Sequence, residues 1–330
     1  MTSQLAPVTL AGIQRPVKDG LEGVVAELGR IIRSDFPLIG DVNAHLLHLK
    51  GKLFRPTLLL LAARAVDRMA PRKVTLAAVV ELIHVATLVH DDSVDHSALR
   101  RGEPTVNALF SHQIAVIMGD YLYSRAIVQL VEMSDLDTLR VMSRVTNEMT
   151  VGEMRELEAH DALDYSEDAY RAMIRAKTAS LLSAACEVGA IDAGEAALRG
   201  ALRRYGLQLG MAFQITDDLL DYTGIEAVTG KPTGLDLREH KITLPLIAAL
   251  PRMTPAERRA VEELMTTPVP GDALVSDVLG MVRERGGVEV AAARAAEFAE
   301  QAEAELALVP AGAARDALTD CLTYAVERRT

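Results

Sequence analysis

The sequence predicts an all-α protein, a single large domain of about a dozen helices. Three observations carry that expectation. Apolar residues recur at helical spacing almost everywhere from Val17 onward, and no alternating period-2 segment of useful length occurs. Ala, Leu, Glu and Arg dominate the composition, and all four are good helix formers. Aromatic residues make up only 4% and Trp is absent, which argues against a β-sandwich or barrel. A length of 330 residues suits two average domains or one large one. Composition shifts nowhere enough to mark a linker, and no fixed-period repeat occurs, so one domain is expected over 16–330.

Residues 1–15 are poorly patterned, with Pro7 and then Pro16 just beyond, and read as a loose leader. Leu21, Val24, Val25, Leu28, Ile31 and Ile32 form one apolar face of the first helix. Pro37 and Gly40 are expected to break it, before a short helix over 42–49. Pro56 suits the first turn of a helix running to 66. A long helix is predicted over 74–95, interrupted by Gly102 and Pro104. Helices follow at 114–133, 136–158, 166–188, 195–222 and 245–250. Ser166 is a good N-cap, with Glu167 and Asp168 in the first turn. Thr254 to Glu257 reads as a capping box with Pro255 at the first helical position, opening a helix to 265. Helices at 273–285, 288–308 and 313–328 end the chain. The one conspicuous loop, 223–242, carries Gly224, Gly230, Pro232 and Gly234 and suits a lid.

The net charge of −11 argues against a general nucleic-acid binder, which shows a basic footprint. It leaves room for an anionic ligand, because local cations can reverse the sign of one cleft. Cys186 and Cys321 are the only cysteines, too few for a disulfide framework or thiolate metal site, so a reducing cytoplasm is the expected location. No signal-peptide pattern opens the chain, and no uncharged apolar run approaches the roughly 18–20 residues that span a bilayer.

The chemistry concentrates at 82–107, LIHVATLVHDDSVDHSALRRGEPTVN. Three aspartates, Asp91, Asp92 and Asp95, stand in D-D-x-x-D spacing and are followed by Arg100 and Arg101. Asp91 and Asp95 share a helix face, and His84, seven residues before Asp91, lies on the same line. Buried carboxylates demand cations. Oxygen-only ligation suits Mg2+, which keeps several waters and shares phosphate oxygens with a substrate. Taken alone, the motif also fits an acidic helix end paired with Arg100 and Arg101, and His84 fits a core histidine. His90 and His96 lie off the line and read as structural or surface residues. No set of histidines suits zinc.

A second D-D-x-x-D stands at Asp217, Asp218 and Asp221, with Gln214 on the same face as Asp217 and Asp221. Lys231, Asp236 and Lys241 follow it. Upstream, Lys177 and Thr178 sit in an apolar helical context, where a lysine can also merely snorkel. Lys52 and Arg55 flank Leu53 and Phe54 and alone read as a solvated turn. Together, six aspartates can hold several Mg2+, and the lysines and arginines can clamp phosphates. Cleavage or transfer at a diphosphate needs both. Long apolar helices between the motifs suit the walls of a hydrophobic tunnel.

These residues resemble the trans-isoprenyl diphosphate synthases, the polyprenyl synthetase family. The likeness runs through LFRP with its lysine at 52–56, ELIHVATLVHDDSVDHSALRRGEPT at 81–105, GD at 119–120, GE at 152–153, KTASL at 177–181, FQITDDLLDYTG at 213–224 and GKPTGLDLREHKITLP at 230–245. It covers about residues 20–328 in the family's order and is closest to the octaprenyl-type synthases. It implies an isoprenoid-synthase fold around a central cavity, in a homodimer. It implies Mg2+-dependent condensation of an allylic diphosphate with isopentenyl diphosphate, with three Mg2+ per site and no protein nucleophile. By position, Asp91, Asp92, Asp95, Asp217, Asp218 and Asp221 hold Mg2+. The first and last aspartates of the first motif and the first of the second are the family's usual direct ligands. Arg100, Lys177, Gln214, Lys231 and Lys241 match residues that grip the allylic diphosphate or support its metals. Thr178 matches a position near the reacting carbons. Lys52, Arg55, His84 and Arg101 match the isopentenyl diphosphate pocket. The family commonly reads Gly-Gly-Lys-Arg before x-Arg-Pro, whereas this chain has Lys50, Gly51, Lys52, Leu53, Phe54, Arg55 and Pro56, which implies an altered loop.

In this family bulky residues four or five positions before the first aspartate floor the tunnel. Here those positions are Thr87 and Ala86, both small, so a long product of roughly C30 to C50, suited to quinone side chains, is expected. The alternative is a farnesyl or geranylgeranyl synthase whose floor comes from Met118, Tyr121, Leu122 or Met149. A terpene cyclase would lack the second D-D-x-x-D, and a non-catalytic partner subunit would tend to have degraded motifs. A long product also suits peripheral membrane contact at release.

Overall fold

The computed structural model describes residues 8–49, 51–100, 102–162, 165–224 and 233–327, with the side chains of 159–162 left aside. Two helices form the centre. Phe54–Ala65 is buried at almost every position, and Ser180–Gly189 is buried at all ten. They can lie this close because the contact is made of small residues: a Cβ on Gly189 would stand 2.4 Å from the Leu59 carbonyl oxygen. The same holds where Ala196–Thr223 crosses the centre, since a Cβ on Gly206 would stand 2.6 Å from the Leu182 carbonyl. Around them pack Lys18–Ile31, Pro71–Val94, His112–Glu132 and Leu136–Ala162 on one side, and Leu244–Ala249, Asp272–Glu284, Gly287–Glu305 and Ala313–Val326 on the other.

Local signals account for many of the helix boundaries. Thr9, Ser111 and Ser166 accept from backbone N–H groups at their N-caps. Thr254 and Glu257 complete both bonds of the expected capping box. The first-motif helix, Pro71–Val94, is anchored at its start by Lys73, a fully buried lysine that donates to the Val188 carbonyl (2.8 Å) and pairs with Asp192 (3.0 Å). Burial in the bundle also explains its apolarity. Pro71–Val94 and His112–Glu132 are both long and apolar enough to cross a membrane by length and composition, and 56% and 39% of their windows are buried.

The hydrophobic interior falls into three clusters. The largest holds the central pair and the first-motif helix. A second gathers Tyr170, Met211, Ile215, Leu244 and Phe298. A third gathers Tyr222, Leu237, Leu246, Val261 and Val278. Ala196–Thr223, the second-motif helix, contributes to all three.

Five expectations need correction. The end of the loose leader is a short helix, Leu10–Gln14, because Ile13 is fully buried and the Gln14 amide donates to the Lys52 carbonyl (2.9 Å) and Thr57 Oγ1 (3.1 Å). Pro37 opens the next helix, Pro37–His48, where its missing N–H costs nothing, and Gly40 sits inside it. A two-residue antiparallel pair, Leu99–Arg100 with Glu103–Pro104, follows the first motif where no strand was expected. The helix expected over 166–188 runs on without a gap but takes in a π-turn, Arg175–Ala179, that was not expected. Of the expected lid, 225–232 lies outside the described residues, whereas 233–242 is tied down: Gly234 N–H donates to the Asp221 carbonyl (3.0 Å). Gly234 has φ +79°, and a Cβ there would meet Val275 Cγ1 at 2.7 Å, so glycine is required.

Candidate active site

The first motif ends its helix, and its three aspartates have different neighbours. Asp92 is buried and held by Arg100, whose Nε donates to both carboxylate oxygens (2.8 and 2.9 Å) and whose Nη2 reaches Oδ1 (2.7 Å). Arg100 is presented by the small strand pair, so the helix end pairs with arginine through Asp92. Asp91 and Asp95 are met from the opposite wall instead. Lys177 Nζ lies 3.9 Å from Asp91 Oδ2, and Lys241 Nζ lies 3.9 Å from Asp95 Oδ2. Burial pushes Asp91 up to about 7, against the pull of Lys177, with Glu153, Asp95 and Glu156 adding to the rise. Asp95 is raised too, first by burial.

The second motif lies near the end of Ala196–Thr223. Asp218 is buried and accepts from Tyr170 OH (2.5 Å) and Gln214 Nε2 (2.8 Å), and Gln214 Oε1 accepts from Thr178 Oγ1 (2.8 Å). Burial is the main cause that raises Asp218 to about 7, opposed by those two hydrogen bonds. Asp221 accepts from the backbone N–H groups of Leu235 and Asp236 (3.0 Å each) and so caps the short helix Leu235–Arg238. Asp217 is half-buried on the same helix. Asp236 is held well above the usual carboxylate range by desolvation and by Asp218 and Asp221.

Lys177 stands between the motifs. Besides Asp91, it pairs with Glu153 (2.8 Å) and, more closely, with Glu156. Glu156 also raises Asp91, Asp95 and Asp218, which places it near both motifs. Burial opposes the charge of Lys177, but its three acidic neighbours win and keep it protonated. Lys241 is likewise held charged, mainly by Glu239 at 2.8 Å.

The structure therefore gathers Asp91, Asp95, Lys177, Thr178, Gln214, Asp218 and Lys241 into one cleft. The 52–55 turn reaches the same helix, since Phe54 stacks on Phe213 with ring centroids 5.5 Å apart, beside Gln214. Leu53 takes φ +49°, a left-handed conformation that a side chain seldom adopts, so the altered loop is built at a conformational cost. Arg55 and His84 are half-buried. Arg101 and Lys231 lie outside the described residues. Ala86 is buried and Thr87 half-buried, its hydroxyl turned back to the His84 carbonyl (2.8 Å). Met118, Leu122 and Met149 are buried, whereas Tyr121 donates to the Ile32 carbonyl (3.0 Å).

Sequence reasoning did not assign Glu153, Glu156, Tyr170, Asp236 or Glu239. The signal for two of them was present: Glu153 is in the quoted GE pair, and Glu156 follows at i+3 on the same helix face. The GD pair also finds a use. A Cβ on Gly119 would stand 2.2 Å from His90 Nε2, so that glycine makes room for the imidazole next to Asp91. His90 is thus structural, as expected, and also touches Asp120 (3.4 Å).

Chemically, the cleft is a crowd of carboxylates spanned by two lysines. Four of its aspartates sit above their ordinary range, first because burial penalises their charge and then because neighbouring carboxylates repel it. All donors are oxygens, which fits a hard divalent cation. Among the described residues no three acidic, histidine or cysteine side chains are placed to hold a metal ion between them. A bound cation would thus complete its shell with water and ligand oxygens.

Comparison with known proteins agrees with this chemistry. A family model described as polyprenyl synthetase matches residues 36–280. The chain is 37% identical to the all-trans-nonaprenyl-diphosphate synthase (geranyl-diphosphate specific) of Rhodobacter capsulatus, over 98% of this chain and 97% of that one. It is also 37% identical to the octaprenyl diphosphate synthase of Escherichia coli, over 97% and 99%. A crystal structure of polyprenyl synthase from Caulobacter crescentus, complexed with calcium and isoprenyl diphosphate, superposes with a TM-score of 0.93 at 35% identity, covering 99% and 100% of the two chains.

Proposed function

The chain belongs to the polyprenyl synthetase family and is a prenyltransferase, and from that premise we propose that it condenses an allylic diphosphate with isopentenyl diphosphate, head to tail, to a product of about C30 to C50. One observation carries the reading: Lys177 reaches Asp91 of the first motif while the adjacent Thr178 donates to Gln214, which donates to Asp218 of the second, and this supports one site served by both motifs. Long-chain synthesis is supported by the small, buried Ala86 and by the long-chain products named for the relatives above.

Asp92, Asp218 and Asp221 are engaged by Arg100, by Tyr170 with Gln214, and by two backbone N–H groups. All six motif aspartates would hold or support Mg2+, three ions per site, and Asp91, Asp95 and Asp217 match the family's usual direct ligands. When bound, Mg2+ neutralises the allylic diphosphate and makes it a better leaving group. Arg100, Lys177, Lys231 and Lys241 balance the charge that grows as the carbon–oxygen bond breaks. Thr178 stands near the reacting carbons, and Gln214 grips the allylic diphosphate or supports its metals. Lys52, Arg55, His84 and Arg101 hold isopentenyl diphosphate, whose double bond attacks the cation. The proton that is then lost goes to the departing diphosphate.

We further propose a homodimer. His112–Glu132 exposes Val116, Ile117, Val128 and Val131, and the neighbouring Leu136–Ala162 exposes Val151 and Met154, an apolar surface suited to a second copy. The cytoplasm is the proposed location, with quinone side chains as the use of the product and peripheral membrane contact at release. The test is to incubate purified protein with farnesyl diphosphate, labelled isopentenyl diphosphate and Mg2+, and size the products. Products of C30 to C50 are expected. A run of products ending at C15 or C20 refutes the long-chain reading, and no condensation at all refutes the activity.

A further inference from the structure

Lys177 is held in a way that its role as a phosphate clamp does not require. It sits in the π-turn Arg175–Ala179, where the helical ladder takes in an extra residue. That turn rests directly on Leu136–Ala162. A Cβ on Gly152 would stand 2.6 Å from the Lys177 backbone nitrogen, so glycine lets the two backbones touch. The next residue, Glu153, reaches Lys177 Nζ at 2.8 Å, and Glu156, one turn on, hydrogen-bonds it more closely. Asp91 is the most distant of the three acids, at 3.9 Å. The three side chains of the Glu153–Lys177–Glu156 set are each only about one-quarter exposed.

We infer that Glu153 and Glu156 are positioning residues that hold the Lys177 ammonium between the two aspartate motifs before substrate arrives, and that Gly152 seats the turn from which it projects. The inference rests on the prenyl-transfer reading above. A long lysine side chain carries about 2 kcal/mol of rotamer entropy. Two carboxylates on one helix face fix its direction in advance, so ordering is not left to the reacting complex. They also keep a positive charge in a cleft that would otherwise hold only acids at that point. When an allylic diphosphate enters, its oxygens replace the glutamates as hydrogen-bond partners. The ammonium then needs a rotation about its terminal bonds and no search.

The test is a double-mutant cycle. Glu156→Gln keeps size and removes the charge, and Lys177→Met removes the group acted upon. In wild-type background Glu156→Gln lowers kcat by about tenfold to a hundredfold, as expected when one oriented charge is lost from a transition state. The KM for isopentenyl diphosphate stays within twofold, and Glu156→Asp restores much of the rate. In the Lys177→Met background Glu156→Gln costs little more, because the two act as a unit. An equal cost in both backgrounds overturns the inference, as does a kcat within twofold of wild type. Glu153→Gln carries the same cycle if Glu156→Gln melts early by circular dichroism. Wild-type protein that makes no product from farnesyl and isopentenyl diphosphates instead refutes the activity itself, so the two failures are distinguishable.

Discussion

Replacing Gly152 by alanine tests the seat of the π-turn with one carbon atom. The added Cβ would lie 2.6 Å from the Lys177 nitrogen and 3.0 Å from both the Ala176 carbonyl carbon and its Cβ. Ordinary contact begins at 3.4 Å, so the nearest pair is about 0.8 Å too close, and the atoms struck are mainly backbone. No side chain can swing aside. Leu136–Ala162 and the turn must separate by nearly an ångström, at an overpacking cost of about 1–3 kcal/mol. Spread over the unfolding entropy of a chain this long, that is a fall in Tm of about 1–4 °C. The activity loss is larger in proportion. A displacement of about 1 Å in an aligned group can cost about a hundredfold. Calorimetry gives the first number and single-turnover condensation with farnesyl diphosphate gives the second. Gly280→Ala is the control: nothing stands within 4 Å of its Cβ, and it lies inside Asp272–Glu284. It should stabilise by about 0.5–1 kcal/mol, with unchanged turnover. If Gly152→Ala matches wild type in both Tm and turnover, the close approach carries no function.

Two further outcomes follow from other parts of the molecule. Ala86→Phe places a ring about 7.5 Å along the helix from Asp91, five residues at the helical rise, and should shift the product distribution toward C15–C20; unchanged product lengths would remove Ala86 from the tunnel wall. Glu257 is held down to about 2, from 4.5, mainly by Arg285, together with the Thr254 N–H of the capping box. Its contribution to stability is present above about pH 4.5 and is lost as pH falls toward 2, so Glu257→Gln should flatten that part of the stability–pH curve while leaving neutral turnover intact.

Much of the helical order is legible in the sequence because its signals are local. Periodicity finds the long helices, and the capping box at Thr254 is read from four adjacent residues. The two aspartate motifs are legible because repetition made them improbable as surface. What escaped depends on partners far along the chain. Met173, Ile174 and Ala176, followed by Leu181 and Leu182, keep helical spacing through the π-turn, so nothing in that stretch announces it. It packs against Gly152, more than twenty residues earlier. Glu153 and Glu156 look like a solvated helix face until Lys177 is placed beside them. Leu10–Gln14 escaped for a similar reason, since Ile13 is buried by packing that involves the C-terminal helix Ala313–Val326. Pro37 misled because proline ends one helix and begins another with equal ease.

One helix, Ala196–Thr223, threads all three hydrophobic clusters, and this has a consequence for cooperativity. The first aspartate motif rides on the largest cluster, while the second sits where that helix passes between the two smaller ones. The carboxylates therefore rest on different parts of the interior, which Ala196–Thr223 links together with Gly287–Glu305. Separate opening of these parts would show as amide hydrogens that exchange at different free energies. A ligand gripped by both motifs closes the circuit between them. It ties the lifetime of the weaker part to that of the stronger, and it does so only while the two halves of the diphosphate's cradle are both in place.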